Sequence, residues 1–181
     1  MNITVSENIV LELTAPKHAG ELFQAVDNNR EHLSRYLPWV GNMQSVKDFD
    51  NYINNCEVQY REKTDISFVI ISNGKLAGRI GLHHINQQNK AGAIGYWLSK
   101  KFEGQGIILQ SCKAIIQFGF DQLGLHRIEI KAAVDNMKSQ AVPRKLGFTQ
   151  EGILRQAELV NNQFLDIVLY SMLQQEWQQQ S

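Results

Sequence analysis

Gly104-Gln105-Gly106 lies between an aromatic, strand-like run, Gly95-Tyr96-Trp97-Leu98, and an apolar run that opens a helical pattern at Ile107-Ile108. The first turn of a helix carries unpaired N–H groups and a partial positive charge. Glycines at such a seam let backbone amides approach a bulky anion with no Cβ in the way, which is how a phosphate cradle is built. The run is not a Walker loop, because it lacks the Lys-Ser/Thr pair. Nor is it a dinucleotide fingerprint, since Leu109 stands where the third glycine belongs. The same residues also read as a plain turn before a core helix. Downstream, Asn136-Met137-Lys138-Ser139 opens a second short helix directly after a strand, and Gly147-Phe148 closes it.

The bulk of the chain narrows the setting. Its 181 residues suit one domain, 1–181, with a core large enough to need no metal or disulfide staple. No Cys/His cluster has metal-ligand spacing, so no metal is expected. Eighteen basic residues balance eighteen acidic ones, which argues against nucleic-acid binding as the main task. Cys56 and Cys112 are the two cysteines, and they read as buried thiols of a reducing compartment. The amino terminus, MNITVSENIV, has no basic stretch followed by an apolar run. No apolar run approaches the roughly 20 residues that span a bilayer. A cytoplasmic protein without a membrane partner is expected.

The elements that must position the glycine seam follow from periodicity. Strands are expected at 9–13, 66–72, 75–84, 92–98, 127–134, 151–160 and 164–173, with Asn73-Gly74 and Asn161-Asn162 as hairpin turns. Helices are expected after Pro16, around Tyr36 to Trp39, from Ser45 towards Lys63, from Ile108 to Phe120 and from Asn136 to Lys145. The tail QQEWQQQS reads as a frayed end. The sum is a mixed sheet of about seven strands flanked by helices, an α/β or α+β fold.

Two segments together resemble the Gcn5-related N-acetyltransferase (GNAT) superfamily. Its seam motif, Q/R-x-x-G-x-G/A, is matched by Lys101-Phe102-Glu103-Gly104-Gln105-Gly106, with lysine at the usual glutamine or arginine. Its downstream motif is matched by Asn136, Ser139, Gly147 and Phe148. The runs Ile94-Gly95-Tyr96-Trp97-Leu98 and Tyr36-Leu37-Pro38-Trp39 look like the RimJ/RimL type, which acetylates amino termini of ribosomal proteins. The likeness covers nearly the whole chain. It implies a mostly antiparallel twisted sheet with a V-shaped opening between two central parallel strands, here 92–98 and 127–134. Acetyl-coenzyme A would lie in that opening, its pyrophosphate on the amides of Gly104, Gln105, Gly106, Ile107 and Ile108. Tyr96, Leu98, Asn136 and Ser139 would complete the coenzyme site.

Acetyl transfer to an amine needs a neutral amine, a donor for the oxyanion, a proton for the departing thiolate and aligned substrates. The resemblance makes the Leu98 N–H the oxyanion donor and Ser139 the general acid. Ser139 also reads as a first-turn serine that satisfies helix amides, and Asn136 as a cap. Relatives carry a glutamate before Ile-Gly-Tyr-Trp where this chain has Ala93. The base is therefore open, and no single carboxylate is expected to be indispensable. Glu103 is the nearest carboxylate in sequence. His83 and His84 occupy neighbouring strand positions and should point to opposite faces, so that one, taken as His83, meets the acceptor. Trp39 is assigned to the acceptor groove by likeness, against the plainer reading of a helix-end anchor. The resemblance implies a protein amino terminus as acceptor; the alternative functions are acetylation of a small amine, such as an antibiotic, a polyamine or an amino acid, or a silent acyl-coenzyme A-binding module. Relatives often pair, so a homodimer is expected.

Overall fold

The computed structural model describes residues 1–180. Eight strands form one sheet in the order β1-β2-β3-β4-β5-β6-β8-β7. They are β1 (Asn2–Ser6), β2 (Ile9–Leu13), β3 (Ile66–Ser72), β4 (Lys75–Asn86), β5 (Ala91–Leu98), β6 (Arg127–Ala133), β7 (Thr149–Val160) and β8 (Gln163–Leu173). Every neighbouring pair is antiparallel except β5 with β6. The expected mixed sheet is present with one strand more than the sequence suggested. The addition is β1, whose Ile3 and Val5 pack on the core while its alternate positions are polar.

Side-chain alternation sends each strand to two different helical layers. On one face, α4 (Ile107–Asp121) buries Ile107, Cys112, Ile115, Ile116 and Phe120, spaced at helical intervals, against Leu82, Ile94 and Ile128. Full burial of each such aliphatic side chain contributes about 1.5–3 kcal/mol. The short helix α5 (Met137–Lys145) lies beside α4 and packs Val142 on the same core. On the other face, α1 (Ala19–Asp27) and α3 (Val46–Glu62) enclose Leu22, Val26, Phe49 and Ile53 with Val69, Leu76 and Trp97. Between them come α2 (Arg30–Leu33) and a 3-10 turn, Pro38–Asn42. Ser45 and Asp48 form the expected capping box of α3.

As far as Gln179 the tail does not fray, and its last residue, Ser181, lies outside the described residues. It forms α6 (Gln174–Gln179), whose Glu176 carboxylate accepts from the Leu173 N–H at 2.8 Å. The Trp177 indole N–H donates to Gln117 Oε1 on α4 at 2.9 Å. One tryptophan and one capping glutamate dock a segment whose composition is otherwise polar.

β4 and β5 meet without room for a side chain. A Cβ on Gly78 would sit 2.1 Å from the Trp97 carbonyl oxygen and 2.9 Å from Leu98 Cα, both backbone atoms. Gly78→Ala must therefore push the two strands apart. The expected cost is about 3 kcal/mol, the upper end for overpacking. For a chain of this size that lowers Tm by roughly 6–12 °C. A melting curve checks it, and an unchanged Tm would contradict the close approach.

Candidate active site

The opening between β5 and β6 begins where their pairing stops. Ala91 to Ile94 pair with Arg127 to Ile130, and the ladder ends there. From Gly95 to Leu98, β5 stays with β4, while β6 continues alone against β8. The Ser99 N–H donates to the Ala77 carbonyl at 2.8 Å. Strand alternation then turns the Gly95 and Trp97 amides towards β4, and the Tyr96 and Leu98 amides towards the gap. The Leu98 N–H thus faces the opening, as expected for an oxyanion donor, and the Tyr96 N–H shares that direction nearer the apex. A cleft of about 1390 Å³ passes through the sheet here, lined by residues of both faces.

The glycine seam forms the mouth of this cleft. Gly104 and Gly106 have φ of 75° and 72°, left-handed values that favour glycine, and Gly106 is the N-cap residue of α4. A Cβ on Gly104 would meet nothing within 4 Å, and one on Gly106 only the Gln110 side chain at 3.7 Å. The space over the helix terminus is open. The first intrahelical bond runs from the Gln110 N–H to the Gly106 carbonyl at 3.1 Å. The amides of Ile107, Ile108 and Leu109 are thereby left for an outside acceptor. Gln105 is the exception among the seam residues: it does not line the cleft, and its side chain turns back to donate to the Lys101 carbonyl at 3.1 Å. It has only backbone to offer. Gly106→Val should weaken acetyl-coenzyme A binding by about 10–100-fold, since loss of charge-assisted amide contacts costs about 1.5–3 kcal/mol. The left-handed φ adds a stability cost of about 1–3 kcal/mol for a branched residue. Titration calorimetry on the folded variant reads the first effect and a melting curve the second. Wild-type affinity would sink the cradle.

Across the gap, α5 presents its first turn. The Asn136 side-chain oxygen accepts the Ser139 N–H at 3.1 Å, so the cap is Asn136's. The Ser139 hydroxyl instead lies 3.2 Å from the Tyr96 hydroxyl, which also donates to the Ser139 carbonyl at 3.0 Å. Burial pushes the Tyr96 phenol up, so it stays protonated at neutral pH. Tyr96, Asn136 and Ser139 all line the cleft. Cys112 is fully buried in the α4 core, and burial pushes its thiol up as well, which leaves it inert as a nucleophile.

The face towards α1 and α3 carries the other residues singled out. Trp39, on the 3-10 turn, lines the cleft with its ring centroid 6.2 Å from that of Trp97. It anchors the turn and borders the groove at once. His83 lies flat over Gly81 and Gly95, its Nδ1 2.8 Å from Asp65 Oδ1. Burial pushes the Asp65 carboxyl up, but hydrogen bonds from His83 and the His84 amide outweigh it and leave the group below its ordinary value. At His84 the regular alternation of the strand breaks. That residue's φ of 53° and a shift in the β4–β5 register kink the strand, and both histidines line the cleft.

Two carboxylates complete the wall. Glu103 is held between His32 Nε2 at 3.0 Å and Lys138 Nζ at 2.6 Å, the second contact an ion pair, so it is not a free base. Glu158, on β7, was not singled out from the sequence. It lines the cleft with its side chain still exposed, and the partial desolvation there pushes its carboxyl above the ordinary glutamate value. Among the described residues, no group of three or more His, Cys, Asp and Glu is placed to hold a metal ion.

A split parallel pair, free strand amides along the gap and a glycine-built helix terminus at its mouth are the parts of a coenzyme A-dependent acyltransferase. The acetyltransferase (GNAT) domain model matches residues 8–149, and the chain belongs to that family. It is an acetyl-coenzyme A-dependent N-acetyltransferase. It is 38% identical over 175 residues to YdaF of Bacillus subtilis (strain 168), provisionally named a ribosomal N-acetyltransferase, covering 96% of each chain. It is 34% identical over 171 residues to the ribosomal-protein-serine acetyltransferase of Escherichia coli (strain K12), covering 94% of this chain and 96% of that one. A solved structure of RimL, the ribosomal L7/L12 alpha-N-protein acetyltransferase, in complex with coenzyme A matches with a TM-score of 0.94 at 30% identity. That match covers 97% of this chain and 99% of the other.

Proposed function

We propose that this chain, acting as one domain, acetylates the amino-terminal amine of a ribosomal protein by direct attack of the amine on the thioester. The observation that carries the reading is the cleft that passes through the sheet. Coenzyme enters over α4, acceptor enters from the α1–α3 side, and they meet at the apex beside Gly95. The names of the relatives support the acceptor class.

Each chemical requirement then has a group. The Leu98 N–H, with that of Tyr96, receives the oxyanion. Ser139 gives its proton to the sulfur, positioned by Tyr96. Trp39 and His83 border the acceptor. Glu158, on the cleft wall, takes the proton that the amine must shed to attack, because its raised pKa brings it nearer the amine. This departs from the expectation that no single carboxylate matters. The His83–Asp65 pair supports a second reading, since an imidazole oriented by a carboxylate is itself a competent base. A cytoplasmic setting fits this acceptor. The exposed apolar residues Ile153, Leu159 and Phe164 on the β7–β8 hairpin suit a face shared with a second copy, which sedimentation of the purified chain would test.

The experiment is thiol release from acetyl-coenzyme A with three acceptor sets: peptides with free amino termini, polyamines and amino-sugar antibiotics. Peptides should be the better substrates by at least about tenfold, an amount equal to about 1.4 kcal/mol. Turnover confined to the small amines would move the acceptor there. Coenzyme binding with no release would make the chain a binding module.

A further inference from the structure

Arg79 on β4 and Trp97 on β5 are register partners, so their side chains rise together from the α1–α3 face. Both line the cleft. The Arg79 Nε donates to Ser67 Oγ at 2.6 Å, and its guanidinium lies 4.6 Å from the centroid of the Tyr52 ring. Ser67 is itself buried and meets the Thr14 hydroxyl at 3.0 Å. The guanidinium is therefore held along one edge and one face. Its two terminal nitrogens meet no acceptor, and no carboxylate pairs with it, among the described residues. The other half-buried arginines, Arg30 and Arg127, each meet a carboxylate.

Trp97 repeats the pattern. It is 7% exposed, and its buried indole N–H has no partner among the described residues. A buried indole N–H ordinarily finds one. Two neighbouring side chains thus offer unmet donors, one of them on a fixed cation, beside the path of the acceptor. A carboxylate answers both, because it accepts two parallel bonds from a guanidinium and keeps lone pairs for the indole, whose N–H is buried here and comes within reach on a turn of the Trp97 ring.

We propose that Arg79 and Trp97 form a carboxylate subsite in the acceptor half of the cleft, so that the preferred acceptor carries a carboxylate close to its reacting amine. The proposal rests on the amino-terminal transferase reading and adds a substrate class to it. His83, over Gly81 and Gly95, marks the apex. Arg79 stands two residues from Gly81 along the same face, roughly 6–7 Å between backbones, and its guanidinium leans to Ser67, the register partner of Gly81 on β3. That interval suits an aspartate or glutamate side chain within the first few residues of a peptide. The α-carboxylate of a free amino acid lies only two bonds from its amine and falls short.

The test uses the full chain loaded with coenzyme A for binding and with acetyl-coenzyme A for turnover. Peptides carry aspartate at the second, third or fourth residue, each beside its asparagine twin, and free alanine serves as the α-carboxylate arm. Binding is read from the Trp97 indole ¹H–¹⁵N resonance, assigned with Trp97→Phe. One aspartate peptide should be favoured over its twin by about 10–100-fold and should move that resonance. Arg79→Met should bring the preference to within about threefold, the loss expected when the charged partner is removed. Trp97→Phe keeps the packing and should also lower the preference, which covers the case of an Arg79 variant that does not fold. Equal binding of the twins, or a preference untouched by both variants, overturns the subsite. Alanine binding as tightly as the best peptide overturns the peptide source. Aspartate-dependent binding without acetylation of any peptide overturns the transferase reading and leaves the subsite standing.

Discussion

Ser139→Ala should lower kcat by about 10²–10⁴-fold, the range of a lost general acid, with the Kd for acetyl-coenzyme A nearly unchanged. Thiolate leaves more readily if a proton arrives as the carbon–sulfur bond breaks. Ser139 is the hydroxyl on the α5 first turn that capping does not occupy, because Asn136 satisfies its amide, and the Tyr96 hydroxyl 3.2 Å away positions it. The capping alternative makes a different forecast: a loss of about 1 kcal/mol in stability with turnover preserved. Since the cap belongs to Asn136, Tm should hardly move. A donor thioester with a more acidic thiol supplies a further check, for its leaving group needs less protonation. The defect of the variant should shrink with that donor, and a constant defect would remove Ser139 from the chemistry.

Glu158→Gln should cost a similar 10²–10⁴-fold, and its pH profile says why. A general base works in its deprotonated form. The Glu158 carboxyl is raised by desolvation, so activity should be absent well below the folded pKa and should rise through a limb placed above the ordinary value of 4.5. Glutamine cannot titrate, and that limb should vanish with the rate. The acceptor amine adds a separate rise near its own pKa of about 7.7–8.0. If His83 is the base, Glu158→Gln should leave the rate nearly intact and Asp65→Asn, which removes the carboxylate 2.8 Å from its Nδ1, should lower it instead. Profiles of the wild type, Glu158→Gln and Asp65→Asn therefore assign the proton to one group.

The seam was legible because glycine identity and helix periodicity act locally: Gly104, Gly106 and the apolar face of α4 need nothing from distant chain. Strands β2 to β8 were legible for the same reason. What escaped depended on tertiary placement. β1 is short and half polar, and it holds its place by pairing with β2. The kink at His84 is a backbone event that no side-chain pattern announces. Glu158 belongs to neither motif, and the β7–β8 pairing carries it to the cleft wall. Glu103 was near in sequence yet is spoken for by His32 and Lys138, each from another helix. The free donors of Arg79 and Trp97 became visible only once their neighbours were known.

The most direct measurement is mass spectrometry of ribosomal proteins incubated with the chain and isotope-labelled acetyl-coenzyme A. The account predicts one labelled acetyl group on the amino-terminal residue of a ribosomal protein, formed by wild type and lost with Ser139→Ala. Label confined to lysine side chains or to small amines, or no label while coenzyme still binds, would contradict it.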